Sequence, residues 1–155
     1  MDIRPATTPD EIPAVRDLFR EYAAALGISL CFQHFDEELA GLPGAYAPPT
    51  GRLLVAADGP ALAGCIALRP LGEGACEMKR LYVRPAYRKT GLGRRLVDRI
   101  LAEAEAAGYH EIRLDTLPVM ADAIRLYRAL GFTDTEPYYD NPVPGALFLR
   151  KPLRP

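Results

Sequence analysis

Apolar residues recur at helical spacing in three stretches of the chain and alternate or cluster at strand length in several others. Ile12, Val15, Leu18, Phe19, Tyr22 and Leu26 mark the first helix, which Gly27 should end. Its expected N-cap is Thr8, with Pro9 as first residue and Glu11 as capping-box partner. A short second helix is expected over 35–40. The segment from Gly41 to Gly51 carries too much Pro and Gly for regular structure and is read as a loop, not a domain linker, because too little chain precedes it to make a core. Two strands over 53–57 and 61–68 flank the turn Asp58-Gly59, and a third runs over 76–83. Leu92, Leu96, Ile100 and Ala104 form the buried stripe of a long helix that Gly108 terminates. A strand over 112–116, a helix over 121–130 ended by Gly131, and strands over 132–135 and 146–150 complete the chain. With a short first strand at Ile3-Arg4-Pro5, the order β-α-α-β-β-β-α-β-α-β-β predicts an α/β fold, a mixed sheet with helices on its faces.

Length sets the scale of that sheet. With 155 residues, 49% hydrophobic and 25% charged, the chain is expected to be one domain spanning 1–155 with a single core. No apolar run approaches the ~20 residues of a membrane span, and Met1-Asp2-Ile3-Arg4-Pro5 has no signal segment, so a cytoplasmic protein with no membrane partner is expected. Cys31, Cys65 and Cys76 have no C-x-x-C spacing, which supports neither a disulfide framework nor a zinc site. Cys65 and Cys76 read as buried free thiols in strands. Cys31 and His34 lack a third ligand, and no metal is expected.

Charge is uneven. Lys79, Arg80, Arg84, Arg88, Lys89, Arg94 and Arg95 lie in a stretch without an acidic residue, although the net charge is only -1. A local positive field suggests one polyanionic ligand; nucleic acid would need basic charge spread over a face. Within this stretch, Leu81-Tyr82-Val83-Arg84-Pro85 reads as a strand end. Arg88-Lys89-Thr90-Gly91-Leu92-Gly93 reads as a turn opening a helix at Arg94. The first amides of a helix lack intrahelical partners and carry the positive end of its dipole, and glycines at 91 and 93 let a ligand approach the backbone. No Lys-Ser/Thr pair follows Gly93, so a Walker phosphate loop is absent. By alternation, Glu77, Lys79, Leu81 and Val83 should share one strand face.

The turn resembles the acetyl-CoA signature R/Q-x-x-G-x-G/A of the GNAT acetyltransferases, behind their L-x-V-x-P strand end. Ala123-Ile124-Arg125-Leu126-Tyr127-Arg128-Ala129-Leu130-Gly131-Phe132 resembles a second element of that family. The resemblance runs from Ile3 to Lys151, the N-terminal third matching in element order only. It implies a twisted mixed sheet of about seven strands with about four helices, in which CoA fills the gap between two splayed strands. It also implies direct transfer of an acetyl group from acetyl-CoA to a primary amine of a small molecule or peptide, without a metal, and leaves a homodimer open.

Several residue roles follow from the resemblance. The amides of Lys89, Thr90, Gly91, Leu92, Gly93 and Arg94, with the side chain of Arg88, would hold the pyrophosphate. Backbone groups of Leu81, Tyr82 and Val83 would hold the pantetheine arm and the acetyl carbonyl. Tyr127, at the edge of the stripe Ala123, Leu126 and Leu130, matches the tyrosine that protonates the leaving thiolate. Glu77 is the candidate base, with Asp115, His34 and His110 as rivals; the bland alternative is that Glu77 pairs with a nearby arginine. Met120 stands where many relatives have an Asn that bonds the cofactor arm. Phe32, Phe35, Tyr46, Tyr138, Tyr139 and Asn141 lie on the irregular segments, either walling a substrate pocket or anchoring loops. Tyr127 favours an enzyme, whereas Met120 mildly favours a non-catalytic CoA-binding module.

Overall fold

In a computed structural model, described here for residues 1–6 and 8–154 and for their side chains except that of Phe32, seven strands form one sheet. They are β1 (Asp2–Pro5), β2 (Arg52–Asp58), β3 (Ala61–Gly72), β4 (Ala75–Val83), β5 (Glu111–Thr116), β6 (Thr133–Asp134) and β7 (Leu147–Pro152), in the order β1-β2-β3-β4-β5-β7-β6. Neighbours pair antiparallel except β4 and β5, which are parallel. Parallel partners need a crossover, and α3 (Leu92–Ala106) supplies it. α3 and α4 (Ala121–Ala129) cover one face over a core that includes Leu96, Ile100, Ile112, Leu114 and Phe132. α1 (Ile12–Leu26) and α2 (Phe35–Ala40) cover the other over Val15, Phe19, Phe35, Leu53 and Tyr46. Cys65 and Cys76 are buried free thiols, and burial pushes both up to about 12. No helix among the described residues is long and apolar enough to cross a membrane.

The first helix begins later than its sequence signal. Residues 8–11 form a turn closed by the Glu11 amide on the Thr8 carbonyl (3.1 Å), and α1 opens at Ile12 with no side-chain cap. The Glu11 carboxylate bonds Arg4 of β1 instead of closing a capping box, a charge-assisted contact that outweighs a neutral cap. β3 also runs beyond 68, which sets Arg69 directly opposite Glu77.

Two irregularities in β4 shape everything functional. First, β4 pairs with β5 only at Ala75↔Glu111, Cys76↔Ile112 and Glu77↔Arg113; beyond that point the strands part. Second, Ala67 faces Lys79 while Cys65 faces Tyr82, so β4 carries one residue more than β3 over that interval. The extra residue is a β-bulge at Arg80, whose φ of 62° is left-handed. Such a conformation costs a non-glycine residue about 1–2 kcal/mol. Arg80 offsets that with two bonds to the Glu38 carboxylate (2.9 Å each), one to Gln33 (2.8 Å), and stacking over Phe35 and Tyr22 (5.1 and 5.5 Å). The bulge inverts the alternation. Cys76, Met78, Leu81 and Val83 all face the α3 side, while Tyr82 faces α1. Glu77 and Lys79 therefore do not share a face with Leu81 and Val83, contrary to simple alternation.

Candidate active site

Three cavities meet where β4 and β5 separate. The first, about 440 Å³, lies between the segment after β4, one edge of α1 and the start of α4. After Val83 the chain makes one 3-10 turn at Pro85–Tyr87, passes Lys89 at φ 62°, and enters α3 through Gly91 at φ 83°. The first helical bond runs from the Arg95 amide to the Gly91 carbonyl (3.1 Å), so the amides of Lys89 through Arg94 have no backbone acceptor among the described residues. The Thr90 hydroxyl pins the turn through the Tyr87 carbonyl (2.6 Å), and Arg88 Nε donates to the Val83 carbonyl (2.9 Å). A Cβ on Gly93 would touch only Leu126 Cδ2, at 3.8 Å. Nothing in the folded chain demands glycine there, and space is left over the amides.

Leu81, Tyr82, Val83, Arg88, Lys89, Gly91, Leu92 and Gly93 all line this cleft, whereas the side chains of Thr90 and Arg94 are turned to other tasks. Arg94 lies along α3 near Asp98 (3.8 Å). The basic stretch does not form one positive field. Lys79 and Arg80 are buried on the opposite face, and Arg84 pairs with Glu21 (2.8 Å), whose carboxyl that hydrogen bond holds below the usual range. Arg88 and Lys89 are the cations left at the cleft.

The second cavity is a throat of about 20 Å³ lined by Tyr22, Lys79, Leu81, Asp115, Met120 and Tyr127, among others. Tyr127 is buried rather than at the edge of its helix stripe, its ring 5.7 Å from Phe132. Burial pushes its phenol well above the ordinary tyrosine range, so the proton stays on at any neutral pH. Met120, at the start of α4, lines both cleft and throat.

The third cavity, about 540 Å³, opens on the α2 side. Glu77 is at its floor, 1% exposed, accepting from Arg69 Nε (2.9 Å) and the Tyr138 hydroxyl (2.7 Å). Lys79 sits between carboxylates, 3.8 Å from Glu77 and 3.8 Å from Asp115, and donates to Gln33 Oε1 (3.0 Å). Its burial lowers its pKa, against the pull of Glu77 and Asp115. Asp115 accepts from Asn141 (2.9 Å) and from the Tyr139 hydroxyl. Tyr138 and Tyr139 pack on Phe148 with centroids at 5.3 and 5.6 Å. Of the rival bases, His34 lies on the rim, paired with Glu37 (3.1 Å) and 80% exposed, and His110 sits beside Gly74, away from the three cavities.

Tyr46, Tyr138 and Tyr139 line this third cavity, Asn141 lines a neighbouring crevice, and Phe35 is buried beneath Arg80; the Phe32 side chain is outside the described set. Sequence reasoning did not single out Arg69, Gln33, Glu38 or Tyr22. Arg69 was within reach, since an arginine opposite a buried strand glutamate is a cross-strand charge pair. Gln33 lies on a 3-10 turn before α2, and Glu38 and Tyr22 lie on helices whose docking onto the sheet no local pattern reveals.

The throat shares Tyr22, Leu81 and Met120 with the cleft and Lys79 with the third cavity. Two ligands approaching from opposite faces would meet at the parted strands. Residues 12–132 match the family model described as the Acetyltransferase (GNAT) family. The chain is 46% identical over 145 residues to an uncharacterized N-acetyltransferase of Schizosaccharomyces pombe, covering 92% of this chain and 88% of that one. Its fold is similar to a GNAT-family acetyltransferase of Staphylococcus aureus (TM-score 0.81, 18% identity, 99% of each chain). It is also similar to the Salmonella typhimurium protein yncA, solved with its cofactor acetyl-CoA (TM-score 0.70, 23% identity, 100% of this chain and 95% of that one).

Proposed function

This chain belongs to the GNAT acetyltransferase family, and we propose that it moves the acetyl group of acetyl-CoA directly onto a primary amine of a small molecule or peptide. It is an acyltransferase with acetyl-CoA as co-substrate. We read it as one cytoplasmic domain. The observation that carries the reading is the parting of β4 from β5 after Glu77, with the unpartnered amides of the glycine turn leading up to the gap. An extended polar chain with a diphosphate at one end fits that arrangement, because the strand edge and the amides both offer main-chain groups to it.

The thioester brings an activated acetyl group; everything else falls to the chain's own residues. The amides from Lys89 to Arg94 and the Arg88 side chain hold the diphosphate. The free edge of Leu81–Val83 aligns the arm. A strand amide directed at the acetyl oxygen would stabilise the charge developing there, worth about 3–4 kcal/mol for one such donor in other enzymes. The amine nitrogen attacks the carbonyl carbon, a C–N bond forms and the C–S bond breaks. Glu77 takes the amine proton through the Tyr138 hydroxyl that it already binds, and Tyr127 gives a proton to the departing sulfur. Asp115 is the second reading for the base, favoured by its place in the throat beside Tyr127. Met120 would meet the arm as a thioether and gives no amide-like hydrogen bond.

Calorimetric titration with acetyl-CoA and CoA, followed by thiol release over a panel of amines, tests this. Binding with turnover of at least one amine is expected. Binding without turnover on any amine would support a non-catalytic CoA-binding module. Absence of binding by folded protein would remove the cleft assignment.

A further inference from the structure

The third cavity has a charge and hydrogen-bond balance that specifies its occupant, granted that the acetyl-transfer reading holds and that the amine enters here. The charges in and just behind its wall pair off, Arg69, Lys79 and Arg80 with Glu38, Glu77 and Asp115, while Glu37 meets His34 at the rim. The acceptors are largely occupied. Glu77 takes Arg69 and Tyr138, both oxygens of Glu38 take Arg80, and Asp115 takes Tyr139 and Asn141. What remains is on the donor side. Arg69 engages Glu77 through Nε alone, and its two terminal nitrogens have no acceptor among the described residues. The guanidinium is partly exposed and lines the cavity. The Tyr46 hydroxyl, on a residue 2% exposed that also lines the cavity, is buried near the Glu38 carboxylate, which Arg80 already occupies on both oxygens, and no group among the described residues meets it in hydrogen-bond geometry. Phe19 packs edge-on against the Tyr46 ring at 6.1 Å and fixes the ring in place. A buried donor without an acceptor is costly, so its natural complement is a ligand atom.

Two leftover donors, one a planar fork, call for a group that only accepts, and a carboxylate matches the fork. A ligand bearing only that negative charge would upset an interior that is already neutral. The same ligand must also carry the amine that reacts at the throat, beside Lys79. We propose that the cavity selects a free amino acid, or a small molecule of that class, with its carboxylate on Arg69 and Tyr46 and its amine turned toward Lys79 and the throat. A cavity of about 540 Å³ suits a small molecule.

The test compares each of a set of free amino acids with its decarboxylated amine and its carboxamide, with acetyl-CoA saturating and thiol release as the readout. In the unaltered protein, kcat/KM should favour the amino acid by roughly 10- to 100-fold, the range for hydrogen bonds to a charged group. The preference should shrink toward unity in Tyr46→Phe and in Arg69→Gln. Because Arg69 also holds Glu77, the ratio within each variant is the measure and not the absolute rate; Tyr46→Phe keeps the ring and its packing. Calorimetry of the same pairs in the presence of CoA reads recognition without chemistry. Decarboxylated amines used as well as amino acids, or a preference unmoved by both variants, would overturn this inference and leave the acetyl-transfer reading standing. Amino acids bound preferentially with no turnover would do the reverse. Lack of a binding preference and lack of turnover would remove both.

Discussion

The two large cavities are built from different materials. The glycine-turn cleft offers main chain: six consecutive amides from Lys89 to Arg94 without backbone acceptors, and a strand edge that β5 has left. The third cavity offers side chains, drawn from the 33–46 segment, β3, β4 and the 138–139 loop, most of which hold one another before any ligand arrives, the Arg69 terminal nitrogens and the Tyr46 hydroxyl being left over among the described residues. A main-chain site needs only the right backbone path and tolerates changes in the side chains around it. A side-chain site of this kind is a buried ionic network, in which each member holds the others, so that removing one strands the rest.

The largest expected effect breaks the network. Lys79→Met leaves Glu77 and Asp115 buried without their shared cation and should destabilise the protein by about 3–5 kcal/mol in urea unfolding. Lys89→Met at the turn should stay within about 0.5 kcal/mol. Equal losses in the two variants would erase the contrast. Tyr127→Phe acts where the two cavities meet, and thiol release should fall about 100-fold or more while acetyl-CoA affinity is unchanged. The raised phenol of Tyr127 means that the proton is retained as pH rises through 10, so this group causes no alkaline loss of rate below that value. A rate kept at full across the pH range by the phenylalanine variant would remove the assignment. Gly93→Ala is the mildest and the most discriminating. Alanine should make the helix more stable by up to ~1 kcal/mol, and its methyl meets only Leu126 at 3.8 Å. Acetyl-CoA affinity should nonetheless drop tenfold or more, because the methyl stands over the amides. Unchanged affinity by calorimetry would mean that close main-chain approach is not what the cleft provides.

The same difference in materials decides what could be read from the sequence. The turn is contiguous, and its glycines stand between a strand and a helix that hydrophobic spacing identifies; the element order follows for the same reason. α1 starts later than its local signal because Glu11 pairs with Arg4, a partner on another element. Alternation puts Leu81 and Val83 on the face of Glu77, and the structure does not, because alternation holds only while a strand gains no extra residue. Arg80 gives no warning of a bulge, being neither glycine nor a turn former. Gln33 and Glu38 come together only through the folded paths of the segments that carry them, and their types are ordinary surface residues.

The additional residue at position 80 has an implication for how this protein could change. It turns the strand over midway, so that one half of β4 addresses the compartment beneath α2 and the other half addresses the glycine turn. Regular pleating at the same chain length would bring Leu81 and Val83 round to the face of Glu77 and Lys79, whereas deleting Arg80 itself would leave every other side chain on its present face. The inserted position thus lodges a cation against Glu38 and Gln33 without costing the sheet its division of labour between donor and recipient sides.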